Sequence, residues 1–466
     1  MMSMTRRPLK AAVCGLVFAA LAGTASAQSL NEAIAQAYAS NPSLQQQRAL
    51  LRATDEGYVQ AKSVMGPSAR LNASVNGSDV PAAGTRATTS VSIGASQTLF
   101  ASGRLSAGLN AAEAEVMAGR EDLRSAEAQL IQNVISTYTA VRRDMESLRI
   151  RQENVSVLRR QLEESKARFE VGEITRTDVA QSEARLAQAQ AALSAAEAQL
   201  SASRAQYTAV VGEAPGSLSD VAPLNGVPAS FDAAMDVAEA QNPQLLAAQF
   251  AEAASRARVA QARAGFGPSV ELEASYGASA PTSRFKNLDE RDSFRTGVSV
   301  SVPLYTSGLN SSRLRAALEQ NNAAKLAVDA RRRTVVQQVS QAFSNLQAQK
   351  SARKANEEQV RATRIAADGV RQEAQVGLRT TLDVLNAEQE LRNAELALVQ
   401  AVRDEYVASA DLLAAMGQLE AGKLVSTVEV YSPQQNFDRV KNRGGLPLEP
   451  VVRAVDSLVD TSKAAN

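Results

Sequence analysis

The sequence predicts an α+β membrane protein built as an internal tandem repeat. Long α-helices lie side by side as a coiled-coil barrel, and four amphipathic β-strands per chain contribute to a membrane β-barrel. Three observations carry this. First, residues 104–171 contain no proline, and Val134, Val141, Leu148, Val155, Leu162 and Phe169 recur at seven-residue intervals. That is the spacing of a helix coiled along other helices, and a helix of that length runs roughly 100 Å at ~1.5 Å per residue. Second, residues 309–376 repeat the stretch, and both copies end in Val-Gly, at Gly172 and Gly377. Glycine accepts the left-handed backbone that stops a helix, so these two are the expected turn glycines. Third, ahead of each long helix the apolar period falls from seven to two, the period of a strand.

The two halves align residue by residue. Phe100/Tyr305, Gly103/Gly308, Gly172/Gly377, Asp178/Asp383 and Gly212/Gly417 pair at one constant offset, whereas Asn41/Asn242 and Gly66/Gly267 pair at an offset four residues shorter. The length difference therefore falls between Gly66 and Phe100, and the chain is a tandem duplication. The expected organisation is an export signal (1–27) and a first repeat of helix, hairpin, long helix and helix (28–211). A linker (212–229), a second repeat (230–417) and a tail (418–466) that is equatorial or disordered complete it.

The signal rests on Arg6, Arg7 and Lys10 ahead of the apolar run 11–22, with Ala25-Ser26-Ala27 as the cleavage site. Cys14, the one cysteine, lies inside it without a lipid-attachment pattern. The mature chain then has no cysteine, histidine or tryptophan, which excludes Ser-His-Asp and Cys-His catalysis and His- or Cys-ligated metal sites. No catalytic residue, metal or cofactor is expected. Basic and acidic residues nearly balance at 50 and 49, so the basic excess of a nucleic-acid binder is missing. Beyond the signal no apolar run is long enough for a spanning helix, so insertion must be by strands.

Taken in order, Leu30, Ala37, Leu44, Leu51, Tyr58 and Met65 mark the first helix, with a kink or restart at Asn41-Pro42. Strands follow at 70–79 and 90–100, and again at 269–278 and 293–304. In the last, Phe294, Thr296, Val298, Val300 and Val302 alternate with Ser293, Arg295, Gly297, Ser299 and Ser301. Strands of this length cross a bilayer when tilted. A half-buried sheet in a soluble domain is the alternative; export, and charged residues on one face against aliphatics on the other, favour a water-filled barrel. The segments around 81–85 and 281–291 read as turns, and Phe100 and Tyr305 as rim aromatics or core. After each turn glycine comes a final helix. In the first repeat Val179, Leu186, Leu193, Leu200 and Tyr207 form one row, and the small Ser182, Ala189, Ala196 and Ser203 a second. In the second repeat Glu405 breaks the row Val384, Leu391, Leu398, Leu412. The two shorter helices of a repeat, end to end, match the long one. Four strands cannot close a barrel and an open edge cannot sit in lipid, so other copies of the chain must complete it.

Several ordered pieces carry a resemblance. They are the openings at 30–42 and 231–243 ending in Asn-Pro, Gly-Pro before each first strand, strand-aromatic-x-x-Gly before each long helix, and above all the turn Val376-Gly377-Leu378-Arg379-Thr380-Thr381-Leu382-Asp383-Val384-Leu385-Asn386. This set, occurring twice, resembles the TolC family of outer-membrane efflux and type I secretion channels over nearly the whole mature chain. The resemblance implies a homotrimer with a 12-stranded barrel in outer-membrane lipid and an α-helical tunnel reaching into the periplasm. It implies a tip opened by a periplasmic adaptor (membrane fusion) protein and an inner-membrane ABC or proton-driven pump. At the tip, Asp383 matches an acidic residue lining the constriction, Arg379 an arginine of the gate network, and Thr177 and Asp178 its partners. Asn386 departs from the pattern, where a second aspartate is usual, and Ala374 replaces a tyrosine. Plain structural readings stand beside these: Asp178 with Gln181 as a capping box, Asp383 as a helix cap, and Arg379 as a solvated charge. The function implied is a passive gated exit duct for protein or small toxic compounds. A periplasmic coiled-coil scaffold or adaptor protein is the alternative.

Overall fold

The structure, a computed structural model, describes residues 27–80, 84–282, 292–425, 429–443 and 449–458. The expected export signal, apart from Ala27, lies outside the described residues, as does most of the two expected strand-connecting turns.

The first repeat runs α1 (Leu30–Ser40), α2 (Pro42–Ser63), β1 (Ser68–Val80), β2 (Gly84–Phe100), α3 (Arg104–Glu170) and α4 (Arg176–Val211). The second repeats this order as α5 (Phe231–Gln241), α6 (Pro243–Arg263), β3 (Ser269–Pro281), β4 (Asp292–Ser301), α7 (Leu309–Gln375) and α8 (Thr381–Ala415), with a 3-10 turn between α6 and β3. Residues 81–83 separate the first pair of strands and 282–291 the second, so the extra length of the second repeat falls between its hairpin strands.

Each Asn-Pro is a restart rather than a kink. Asn41 ends α1 and caps α2, its Oδ1 accepting from the Ser43 and Leu44 amides at 3.0 and 3.3 Å, while Pro42 sits where no amide partner is needed. Its Nδ2 donates to Val210 O at 3.0 Å, and Asn242 does the same to Ala415 O at 2.8 Å. One side chain thus starts one helix and satisfies an orphan carbonyl at the end of another. These bonds bring the end of α4 to the start of α2, and the end of α8 to the start of α6. The expected plan, one long helix beside two shorter ones end to end, is realised in each half.

The core is densest at that equator. Leu30, Ile34, Tyr38 and Leu44 pack with Val134, Ile135, Tyr138 and Tyr207. The buried Tyr138 donates its hydroxyl to the carbonyls of Gln28 and Ser219 at 2.8 and 2.9 Å, holding the linker against α3. Along the heptad row of α3, Val134, Val141 and Val155 are buried, Leu148 and Leu162 half-buried, and Phe169, at the turn, exposed. In α4 the small row Ser182, Ala189, Ala196 and Ser203 is buried along its whole length, whereas in the large row Leu200 and Tyr207 are buried at the core and Val179, Leu186 and Leu193, nearer the turn, are only half-buried. Glu405 breaks the α8 row because it pairs with Arg353 of α7 at 3.1 Å.

The four strands form one antiparallel sheet in the order β1-β2-β3-β4, the β2–β3 pairing joining the two repeats. The register sets Leu71 opposite Ile93, Ile93 opposite Tyr276, and Tyr276 opposite Phe294. Directly opposed residues share a face, so one apolar face runs unbroken across all four strands. Arg295 opposite Ser275, and Glu271 opposite Ser299, lie on the other. Leu71, Val75, Phe294, Val298 and Val300 are exposed in the single chain, and β1 and β4 are open edges.

The tail, expected to be equatorial or disordered, carries α9 (Ala421–Leu424), α10 (Pro433–Val440) and α11 (Glu449–Asp456). Residues 426–428, 444–448 and 459–466 of that tail lie outside the described residues. Among the described residues no helix is long and apolar enough to cross a membrane.

Candidate gate at the helix-turn tip

The long helices start at the sheet and end at two turns of one design. The Gly172 amide donates to Phe169 O at 3.0 Å and the Glu173 amide to Arg168 O at 2.9 Å. Gly377 and Leu378 repeat this onto Ala374 and Glu373 at 3.1 and 2.9 Å. Both glycines have φ near +80° (79° and 80°), a conformation that costs a residue with a Cβ about 1–2 kcal/mol. The reversal is therefore glycine-dependent at both positions.

Thr175 and Thr380 open the returning helices. Thr175 is the N-cap of α4, and Asp178, three residues on, accepts from the Thr175 amide and hydroxyl at 2.9 and 2.7 Å. Asp383 accepts from the Thr380 amide and hydroxyl at 3.0 and 2.8 Å. This corrects the expected Asp178–Gln181 box: Asp178 is the third residue of a box opened by Thr175, because threonine supplies the cap one turn earlier. Asp383 likewise braces a cap rather than forming it. Bonding to Thr175 and Thr380 holds both carboxyls below the ordinary carboxylate range, so they stay ionised. Each keeps a second oxygen that these bonds leave for solvent or a passing cation. Thr177 lies in the first turn of α4, next to Asp178.

Arg379 Nε pairs with Glu373 of the same turn at 2.8 Å, both half-exposed. Within one protomer it does not reach Thr177 or Asp178 through any ion pair or hydrogen bond among the described residues. Asn386 Oδ1 instead accepts from Arg185 Nη2 at 3.0 Å. That bond joins α4 to α8, the final helices of the two repeats, and brings a cation to the turn region.

A set of charges just above the turn escaped sequence reasoning. Arg371 of α7 pairs with Glu388 of α8, Arg392 lies 3.6 Å from Glu388 and 2.6 Å from Glu395, and Arg364 reaches Glu395 at 3.0 Å. The signal was present: Arg364 and Arg371 on one helix, and Glu388 and Glu395 on its antiparallel neighbour, are each a heptad apart. In the first repeat Lys166 and Glu183 hold the corresponding place, 3.3 Å apart and exposed. Among the described residues no cluster of His, Cys, Asp and Glu could hold a metal.

The match to known proteins agrees with this layout. A family model described as outer membrane efflux protein matches residues 33–213 and 234–418. The outer membrane efflux protein BepC of Brucella suis is 34% identical over 438 residues, covering 94% of this chain and 96% of that protein. The outer membrane protein TolC of Vibrio cholerae is 30% identical over 404 residues, covering 84% and 91%. The open-state crystal structure of the MtrE outer membrane channel of Neisseria gonorrhoeae superposes with a TM-score of 0.73 at 23% identity, covering 84% of this chain and 90% of that one. The chain belongs to the outer membrane efflux protein family.

Proposed function

We propose that three copies of this outer-membrane channel protein assemble into a continuous exit duct, a twelve-stranded barrel in the membrane above a helical tunnel in the periplasm. The observation that carries the reading is the sheet. Its apolar face is continuous over four strands, yet β1 and β4 are open edges, and unpaired strand edges are not tolerated in lipid. Joining β4 of one copy to β1 of the next closes the edges without new elements. Exposed apolar residues along α7, among them Leu318, Leu326 and Ile365, support burial against a neighbouring copy.

The duct works as a passive gated channel in a tripartite export system. A periplasmic adaptor and an inner-membrane pump, an ABC exporter or a proton-driven pump, dock at the tip and open it. Cargo is exported protein, small toxic compounds, or both. The chain's part is conduction and gating, with Asp383 lining the constriction and Arg379, Thr177, Asp178 and Asn386 around it. The alternative of a periplasmic scaffold fits neither the apolar sheet face nor the family. In detergent the purified protein should have the mass of three chains and conduct ions across a planar bilayer. A stable monomer with native sheet content would overturn the reading.

A further inference from the structure

Every helix that begins at a repeat's Asn-Pro or helix turn is capped by the side chain of its N-cap residue, but the two long helices follow glycines, Gly103 and Gly308, which have no side chain to cap with. α3 follows Ser102 and Gly103, with φ of 54° and 85°, and α7 follows Ser307 and Gly308, with φ of 50° and 81°. Two successive left-handed residues swing the chain from strand to helix and leave the amides around the joint converging on one point. Such a concavity at a helix N-terminus attracts an anion.

At the first joint that anion is present, and it comes from the far end of the chain. The Asp456 carboxylate, 0% exposed, accepts from the amides of Ala101 (2.8 Å), Gly103 (3.1 Å), Leu105 (3.1 Å) and Ser106 (3.0 Å), and from the Ser106 hydroxyl at 2.8 Å. Burial pushes its carboxyl up, and the bonds from Ser106, Ala101 and Gly103 outweigh it, so the group stays ionised. One turn earlier Val452 is buried with Met65, Ala101, Leu105 and Leu109.

The path to that point is anchored along α1 and α2. The Tyr431 amide donates to the Tyr38 hydroxyl at 3.2 Å, and the Arg48 guanidinium is held between the Tyr38 and Tyr431 rings at 4.5 and 4.9 Å. Asn436 donates to the buried Asp55 at 2.7 Å, and Phe437 meets Tyr58 edge-on at 5.0 Å. Lys62, at the end of α2, donates to Lys441 O at 2.6 Å and pairs with Glu449 at 3.2 Å. These anchors climb from the equator to the base of the sheet. The tail residues that make them lie outside the residues matched by the family model, and their partners on α1 and α2 lie inside.

We propose that the described tail residues, 431–443 and 449–456, act as a strap that locks the first sheet-to-helix joint, with Asp456 as a positioning residue that caps α3 in place of a local side chain. The second joint serves as an internal comparison: α7 follows the same left-handed pair, and there the local Thr306 hydroxyl accepts from the Asn310 amide at 3.4 Å, so no bond from the tail is needed.

Amide hydrogen exchange on the full-length protein, read at both joints, tests this. Asp456→Ala should speed exchange of the Gly103, Leu105 and Ser106 amides at least tenfold, with the amides of 308–312 unchanged. Asp456→Asn keeps the shape and one acceptor oxygen and should give a smaller, equally local increase. Should Asp456→Ala fail to assemble, Asp456→Asn and Lys62→Ala, which loosens the strap one anchor earlier, carry the test alone. Unchanged exchange at the first joint would overturn the proposal, and so would equal acceleration at both joints. Neither result depends on whether the protein is a trimer or conducts.

Discussion

Arg371 and Glu388 form an ion pair across α7 and α8 in which the carboxylate side chain is 4% exposed, whereas the corresponding pair of the first repeat, Lys166 and Glu183, is 53% and 54% exposed. The duplication has kept the charge pattern and changed its surroundings. Removing one partner of a buried pair strands a charge away from water and typically costs about 3–5 kcal/mol, against about 0–1 kcal/mol for an exposed pair. The half-exposed Arg371 and the nearby Arg392 place this case toward the lower end. Thermal melting followed by circular dichroism should show Arg371→Ala clearly destabilised and Lys166→Ala close to the parent.

A cation on the apolar sheet face should be costly and one on the opposite face cheap. Val298 lies opposite Leu272, and Ser299 opposite Glu271. Arginine on the lipid face of a barrel costs up to about 2–4 kcal/mol at the membrane midplane. Val298→Arg should therefore reduce the yield of assembled protein in the outer-membrane fraction while Ser299→Arg leaves it near the parent level. Equal yields would mean that the faces are assigned the wrong way round.

In the proposed duct Asp383 would supply one charge per copy to a narrow mouth, where low-dielectric walls would focus the field on passing cations. Divalent cations should block conductance weakly, and Asp383→Asn should remove the block. Asparagine keeps an oxygen that can accept from the Thr380 amide and hydroxyl but gives up the anion in the first helical turn, so only a small loss of stability is expected. Asn386→Asp alone should add little, because Arg185 already touches that side chain and would pair with the new carboxylate. Asn386→Asp combined with Arg185→Ala should strengthen block. A single Asn386→Asp that blocks as strongly as the double variant would show that Arg185 does not screen the mouth.

Much of the fold was legible because it repeats. Two heptad rows, two Val-Gly turns and two period-two segments each mean little alone, but in the same order twice they leave few arrangements. The turns were legible because glycine takes the φ of Gly172 and Gly377 (79° and 80°) without the steric cost that a Cβ brings. The caps read one turn late, since an aspartate ahead of an apolar row looks like an N-cap until the bonds place Thr175 and Thr380 there. What stayed hidden depends on distant contacts. Arg185 and Asn386 sit in different repeats, and Glu388 reads as a surface charge until α7 covers it. Asp456, in a stretch without period, meets an amide cluster some 350 residues earlier (sequence separation 350 from Ser106).

The central claim, closure of the sheet between copies, can be tested with cysteines, because the sole natural one lies in the expected signal. Asn72 on β1 would be paired in turn with Ser293, Arg295, Gly297 and Ser299 on the same face of β4. Within one protomer β2 and β3 separate these strands, roughly 14 Å at ~4.8 Å per strand, beyond the ~7 Å between Cα atoms that a disulfide spans. Any disulfide must therefore join two copies. Oxidation in outer membranes, followed by denaturing electrophoresis without reductant, should give a ladder that ends at three chains for the pair in register. Monomers from every pair, or a ladder continuing beyond three, would contradict a barrel closed by three copies.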